Sequence, residues 1–351
     1  TGDGRCNLLN DDLRDVYYNT EARGLVNSIY AIFGKQQILD FFRSLGLEMY
    51  SKEGRIFPIT NQAASVVKVL EMELKRLAIP VEYGFNCSDI SFSKDGILVS
   101  SKSGKTLEYQ KVIVTGGGKT YPAFGSDGSM YEVARQLGHS IIEPVPSAVP
   151  LVVKDSLCQL LQGQRIFAGA KSLIEDKEGE EVKGDLIFAK YGLSGTCILD
   201  ISETISVAMN RHKKTEVFVS VDMVPFMGRD QLRNELDRRR KGKLPAEDVL
   251  AGILPNKFCV ALKDIFKTTD IATAVNLLKD RRFKVMGTRG WNEAEFTSGG
   301  VNVDEVNART LESKLKKGVY FAGEVLDVSG RRGGYNLGWA WASGFVAGQT
   351  K

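Results

Sequence analysis

Apolar residues recur along the chain with two different periods, and the alternation between those periods divides it. Between residues 35 and 50, Ile38, Leu39, Phe41, Phe42 and Leu45 form a stripe at helical spacing that stops at Gly46, a residue suited to the position just beyond a helix. After Gly54-Arg55-Ile56-Phe57-Pro58, the residues Ala63, Val66, Leu70, Leu74 and Leu77 predict a second helix that ends before Pro80, because proline cannot continue one. Over residues 81–114 short runs separated by Lys94-Asp95-Gly96 and Lys102-Ser103-Gly104 predict a β-meander. Its last strand, Lys111-Val112-Ile113-Val114, reads as a buried apolar run that delivers the chain into Thr115-Gly116-Gly117-Gly118. Ser126 or Asp127 then caps a helix carrying Met130, Val133, Ala134 and Leu137, with Gly138 as its stop.

Pro144, Pro146 and Pro150 restrict the chain and remove backbone donors, which sets a domain border near Ser147. Residues 149–153, 164–174, 181–189, 196–201 and 216–221 read as strands of an antiparallel sheet or barrel. Residues 228–282 turn helical and include the basic run Arg238-Arg239-Arg240-Lys241. Glycine-rich sequence returns at Thr297-Ser298-Gly299-Gly300-Val301. Gly318-Val319-Tyr320-Phe321-Ala322-Gly323 reads as a short buried strand ending in a tight turn, and residues 337–349 as a helix just after Gly333-Gly334-Tyr335-Asn336.

Composition narrows the class. The 351 residues, 43% of them hydrophobic, suffice for more than one core. A net charge of +4 with both signs interspersed gives no global pull toward nucleic acid or an anionic membrane. No aromatic residues interleave the basic run, so it reads as a solvated helix face and nucleic acid is not an expected partner. No apolar run approaches the roughly 20 residues of a membrane span. Cys6, Cys87, Cys158, Cys197 and Cys259 lie far apart and odd in number, which fits a reducing compartment; a cytoplasmic location is expected. The histidines, His139 and His212, have no partners at ligand spacing, so no protein-built metal site is expected and redox chemistry must be imported.

Two strand-to-glycine junctions, Val114-Thr115-Gly116-Gly117 and Phe321-Ala322-Gly323-Glu324, suit a doubly wound sheet, whose ligands lie beyond the carboxyl ends of the strands. Either alone is equally a tight turn. Together with Glu324 and Asp327 the second junction sets carboxylates where a strand ends, able to accept hydrogen bonds from sugar or polyol hydroxyls. The following Gly333-Gly334-Tyr335-Asn336 offers backbone donors at a helix start, which favour an electron-rich ligand edge.

These residues carry a resemblance. Gly4-Arg5-Cys6-Asn7, Gly54-Arg55-Ile56-Phe57-Pro58, Val114-Thr115-Gly116-Gly117, Gly125-Ser126-Asp127-Gly128, Tyr191-Gly192-Leu193-Ser194-Gly195, Thr297-Ser298-Gly299-Gly300-Val301 and the segment 323–348 appear in this order. In combination they resemble the bacterial NAD(P)/FAD-dependent oxidoreductases, the aminoacetone-oxidase and bile-acid-reductase-like flavoproteins, over essentially the full chain. The resemblance implies an α/β fold: an FAD-binding doubly wound domain of the two-dinucleotide-binding type, interrupted by a β-barrel plus helical insert. Its expected divisions are 1–146 and 297–351 for the FAD domain, 147–227 for the barrel, 228–282 for the helical subdomain and 283–296 for the return. It implies FAD as cofactor, with Glu324 holding ribityl or ribose hydroxyls and Gly334, Tyr335 and Asn336 facing the flavin ring. Gly4, Arg5, Cys6, Asn7, Thr115, Gly116, Gly117, Gly323, Asp327 and Gly333 complete the expected cofactor site.

The chain departs from the family pattern in two places. Arg331-Arg332 stands before Gly333 where a smaller second residue is expected. No Gly-x-Gly-x-x-Gly occurs, nor the acidic residue about 20 positions later that holds the adenosine ribose. The expectation is therefore a chain that begins one strand-helix-strand unit late, short of the pyrophosphate-binding helix start, and that binds FAD weakly or not at all by itself. The expected activity is hydride transfer through flavin N5 on a small organic substrate, with NAD(P)H or oxygen as redox partner. Tyr335 and Arg5 are candidate proton donors, though either could equally be a positioning residue. The alternatives are a noncatalytic or nucleic-acid-associated flavoprotein, or an FAD-free inactive fragment.

Overall fold

The structure, a computed structural model, describes residues 4–349, so Thr1, Gly2 and Asp3 of the opening Gly-rich loop lie outside the described residues. The two predicted stripes form helices Lys35–Ser44 and Ala63–Arg76. A helix over Arg23–Ile32 adds to them; its buried stripe of Leu25, Val26 and Ile29 is too short to stand out by period. The chain divides into two units, one formed by residues up to Pro144 together with those from Phe296, the other by Val145–Glu295.

In the first unit the meander consists of Cys87–Phe92, Ile97–Ser101 and Thr106–Tyr109. Val112–Val114 does not extend it. That strand pairs in parallel with Val319–Phe321, placing Val114 opposite Phe321. The expectation of a buried run fails at Ile113, which is 38% exposed, because alternate side chains of a strand point to opposite faces and only one face meets the core. The last helix, Tyr335–Gly348, is apolar nearly all round and buries Trp339, Ala342 and Val346, as an interior helix does. Phe42 meets Trp341 edge-on at 5.1 Å and Phe33 stacks on Phe345 at 3.8 Å between centroids.

In the second unit six antiparallel strands close a barrel. Their order is Arg165–Ile174, Val182–Ala189, Gly192–Ser194, Leu151–Val153, Arg281–Thr288 and Val217–Asp222, the last pairing back onto the first. Closure leaves these strands no free edge. Two sequence expectations change here. Residues 196–201, expected as a strand, begin the helix Thr196–Ser206, whose buried Cys197, Ile198, Ile201 and Ile205 follow a helical period, and the helix packs against the barrel strands, most of all Arg165–Ile174 and Val182–Ala189. The β-branched content that suggests a strand yields to this tertiary packing. Residues 283–295, expected to return to the first domain, stay in the second unit because Arg281–Thr288 is a barrel strand. Helices Arg229–Lys241, Asn256–Thr268 and Ile271–Lys279 form the helical part. Among the described residues no helix is long and apolar enough to cross a membrane.

Candidate cofactor site

The loop at residues 4–10 is seated by its backbone. The Gly4 carbonyl accepts from Ala63 N at 2.7 Å, where the helix Ala63–Arg76 starts, and Leu8 N donates to Ile56 O at 2.9 Å. Arg5, exposed, lays its guanidinium over the Phe57 ring at 5.3 Å. Cys6 is buried and takes the left-handed conformation, φ 62°, which is uncommon for a residue with a Cβ. Asn7 reaches across to the last helix: its amide donates to Leu9 O at 3.1 Å and accepts from Gly334 N at 3.0 Å. Asn10 Nδ2 donates to Gly333 O at 2.8 Å and Trp341 Nε1 to Leu8 O at 3.0 Å. Gly334 is at φ +98°, and a Cβ there would run into the backbone of Leu9. Loop and helix start therefore touch backbone to backbone, and only glycine permits it.

The expected ring-facing residues are tied to their own chain. The Asn336 amide accepts from Gly330 N at 2.8 Å and donates to Gly330 O at 2.9 Å. The Tyr335 ring lies 4.9 Å from Tyr17 and 6.0 Å from Tyr18 between centroids. Tyr18 OH donates to Tyr335 O at 2.9 Å. Burial, then the fields of Tyr17 and Asp12, push the Tyr335 phenol up to about 12, so it is a neutral donor near pH 7. The backbone N–H groups of Tyr335, Asn336 and Leu337 make up the helix's first turn, which has no acceptors within the helix.

The two strand-to-glycine junctions stand side by side. Because Val114 and Phe321 are in register, Ala322 N donates to Val114 O at 3.1 Å, and Thr115-Gly116-Gly117-Gly118 and Gly323-Glu324 leave the strand ends together. Gly323 is bound to the last helix through Ser343 Oγ (2.9 Å) and Trp339 Nε1 (3.1 Å). Glu324 turns toward Gly118. Its Oε1 accepts from Thr297 N at 2.5 Å, and the Thr297 hydroxyl and Gly118 N also favour the charged carboxylate. Burial raises the Glu324 pKa in spite of these donors. A Cβ on Gly118 would collide with the Thr297 hydroxyl and the Glu324 carboxyl, and Lys119 N donates to Thr297 Oγ1 at 2.8 Å. Asp327, buried, is anchored by its own N to Val301 O (2.9 Å) and by Asn19 Nδ2 to its carbonyl (3.1 Å). Beside this group lies Tyr131, 3% exposed, its hydroxyl without a hydrogen-bond partner.

Sequence reasoning omits Thr297, Gly118, Asn10 and Tyr131 from the site. Thr297 and Gly118 belong to the glycine-rich motifs quoted above, and that is their only signal. Tyr131 gives none, since an aromatic residue on a helix reads as core.

A separate cluster in the first unit has the residue types of a nucleophile relay. His139 Nδ1 lies 3.0 Å from Glu305 Oε2 and its Nε2 2.8 Å from Ser313 Oγ. Both His139 and Ser313 are buried, however, and Ser313 Oγ accepts from Leu315 N (3.1 Å) and Lys316 N (2.9 Å). With two donors on Ser313 Oγ, its own proton goes to Nε2 and the Nδ1 proton to Glu305. The cluster ties three segments together and offers no nucleophile to solvent.

Comparison with known proteins identifies relatives of the chain. The model of the HI0933-like protein Rossmann domain matches residues 1–350. A 3-dehydro-bile acid delta(4,6)-reductase of Clostridium scindens is 34% identical over 364 residues, covering 100% of this chain and 88% of that protein. A ribosomal RNA dihydrouridine synthase of Escherichia coli is 27% identical, covering 99% of this chain and 87% of that protein. Among solved structures, Klebsiella pneumoniae HpxO complexed with FAD and uric acid aligns at a TM-score of 0.29 and 14% identity, over 85% of this chain. The chain spans 57% of that structure's length. On the family match and the 34% identity, this chain belongs to the HI0933-like Rossmann domain family, the FAD-binding oxidoreductases that its motifs resemble.

Proposed function

We propose that this protein is an FAD-dependent oxidoreductase that reduces a small organic substrate, with NAD(P)H as electron donor. The observation that carries the cofactor reading is the joined carboxyl ends of Val112–Val114 and Val319–Phe321, with carboxylates Glu324 and Asp327 and an unpartnered phenol, Tyr131, gathered beside them. Parallel strand ends are where such folds take their ligands, and an unpartnered buried hydroxyl asks for a polar one. The residues fit a dinucleotide that carries polyol hydroxyls.

When bound, FAD supplies hydride transfer at N5. The chain's own residues bind and orient. Glu324, Asp327, Thr115, Gly116 and Gly117 would hold the polyol side, while the first-turn N–H groups behind Gly333 and Gly334 would aim at the electron-rich edge of the ring. Asn7 and Asn10 support that helix start from the other side, and Gly4, Arg5 and Cys6 belong to the same loop. Tyr335 keeps its proton at neutral pH and would polarise a substrate carbonyl or donate a proton, with Arg5 the second candidate. The name of the Clostridium scindens relative supports reduction over oxygen-dependent oxidation.

The test uses the protein expressed from its complete gene. A flavin spectrum that survives gel filtration, bleached anaerobically by NADPH or NADH, is expected. A colourless protein that takes up no added FAD would end the cofactor reading, and bleaching by amines with oxygen uptake would end the reductase one. A second reading, RNA as substrate, draws on the relatives named ribosomal RNA dihydrouridine synthases at 27% and 26% identity. Dihydrouridine formed in ribosomal RNA by the purified protein, with no turnover of unsaturated small ketones, would favour it.

A further inference from the structure

Tyr131 lies in the first turns of the helix Ser129–Gln136, deep in the core of the first unit. Native interiors seldom leave a buried hydroxyl unpartnered, because its lost hydration is not replaced. What surrounds it restricts what can complete it. The Thr297 hydroxyl lies close enough to the phenol to interact with it but not in hydrogen-bond geometry; it already accepts from Lys119 N and stands close to the Glu324 carboxyl as well. Burial, then the fields of Glu324 and Asp327, hold the Tyr131 pKa far above neutrality. The phenol is therefore a donor, and its missing partner is an acceptor that stands in the field of two carboxyl groups.

Few ligand groups meet both conditions. A phosphate accepts but adds negative charge beside Glu324 and Asp327. A hydroxyl accepts from the phenol through its lone pairs and donates its own proton to a carboxylate.

We propose that the Tyr131 hydroxyl donates a hydrogen bond to a sugar-alcohol or ribose hydroxyl of the bound dinucleotide, and that the pyrophosphate lies elsewhere. This inference rests on the FAD reading above. It extends that reading to a helix that the cofactor motifs do not include.

The experiment compares the full-gene protein with its Tyr131→Phe variant, measuring FAD affinity by flavin fluorescence and apoprotein stability by urea unfolding. Since one hydrogen bond is removed, FAD binding is expected to weaken about tenfold. Apoprotein stability is expected to be unchanged or raised, because no partner in the protein is lost. An FAD affinity within twofold of wild type overturns the proposal, and so does a tenfold loss in the apoprotein's folding constant, which would mean that the hydroxyl has a partner in the protein. Failure of the wild type to bind FAD would instead strike the underlying reading. Two further probes locate the hydroxyl. If it belongs to the ribityl chain, riboflavin weakens in the variant and ADP does not; if it belongs to the adenosine ribose, the pattern reverses.

Discussion

Replacing Asn7 with alanine tests whether the loop at residues 4–10 and the last helix are one mechanical piece. The Asn7 side chain supplies two bonds, to Leu9 O at 3.1 Å and from Gly334 N at 3.0 Å. Losing the first costs about 1 kcal/mol, and leaving a buried N–H without an acceptor costs about 1–3 kcal/mol. Gly334 is only half-buried, so water recovers part of the second loss and the sum is about 2 kcal/mol, up to roughly 30-fold in the ratio of folded to unfolded protein. Asn7→Asp should recover about half of it: it keeps an acceptor for Gly334 N and adds favourable charge at a helix start, but turns a carboxylate oxygen toward Leu9 O. The assay can be confined to the first unit. Trp339 and Trp341 lie on the last helix and Trp291 in the second unit, so in a Trp291→Phe background urea unfolding followed by fluorescence reports the first unit alone. If Asn7→Ala stays within about 0.5 kcal/mol of its background, the clamp argument is wrong and the Asn7 amide is available to a ligand.

Two further outcomes follow from the same structure. Burial lowers the His139 pKa below 6.5, against the opposing pull of Glu305. The folded state thus disfavours the proton, and stability is full above 6.5 and falls as pH drops from there toward the folded pKa; His139→Gln should flatten urea midpoints measured between pH 7.5 and 5.5, and an unchanged slope would assign the loss to other groups. In the basic run, Arg239 bonds to Glu235, Val249 O and Ala251 O. Arg239→Ala should destabilise the second unit by about 1–3 kcal/mol, while Arg240→Ala should stay within about 0.5 kcal/mol; equal losses would refute the distinction.

What the sequence made legible was local. Helices with long stripes, such as that ending near Gly46, and turns marked by Lys94-Asp95-Gly96 need only neighbouring residues to be read. The parallel pairing of Val112–Val114 with Val319–Phe321 joins residues about 200 positions apart, and no period encodes such a partner. The strand expected at 196–201 fails for a related reason, since β-branched residues suit either element until packing decides. In the site, the glycines announce close approach, but not what approaches: for Gly334 it is Leu9, for Gly118 it is Thr297 and Glu324. Tyr131 becomes visible only through the bond it does not make.

The seam between loop and last helix also orders the protein's biogenesis. Asn10 bonds to a residue 323 positions later, and Leu8 to one 333 positions later. A ribosome releases residues 4–10 long before their partners on the last helix, so until that helix emerges the loop is held only by nearer contacts such as Leu8 N on Ile56 O. The barrel's pairings, by contrast, all lie between residues 151 and 288, and those strands can find one another while the last helix is still untranslated. Once the barrel has closed, the long excursion between the two halves of the first unit becomes a short tether. Closing a loop costs less when the chain within it is already ordered. The insert thus does a service to assembly that is separate from any chemistry it contributes: it shortens the search by which the loop at residues 4–10 and the last helix meet.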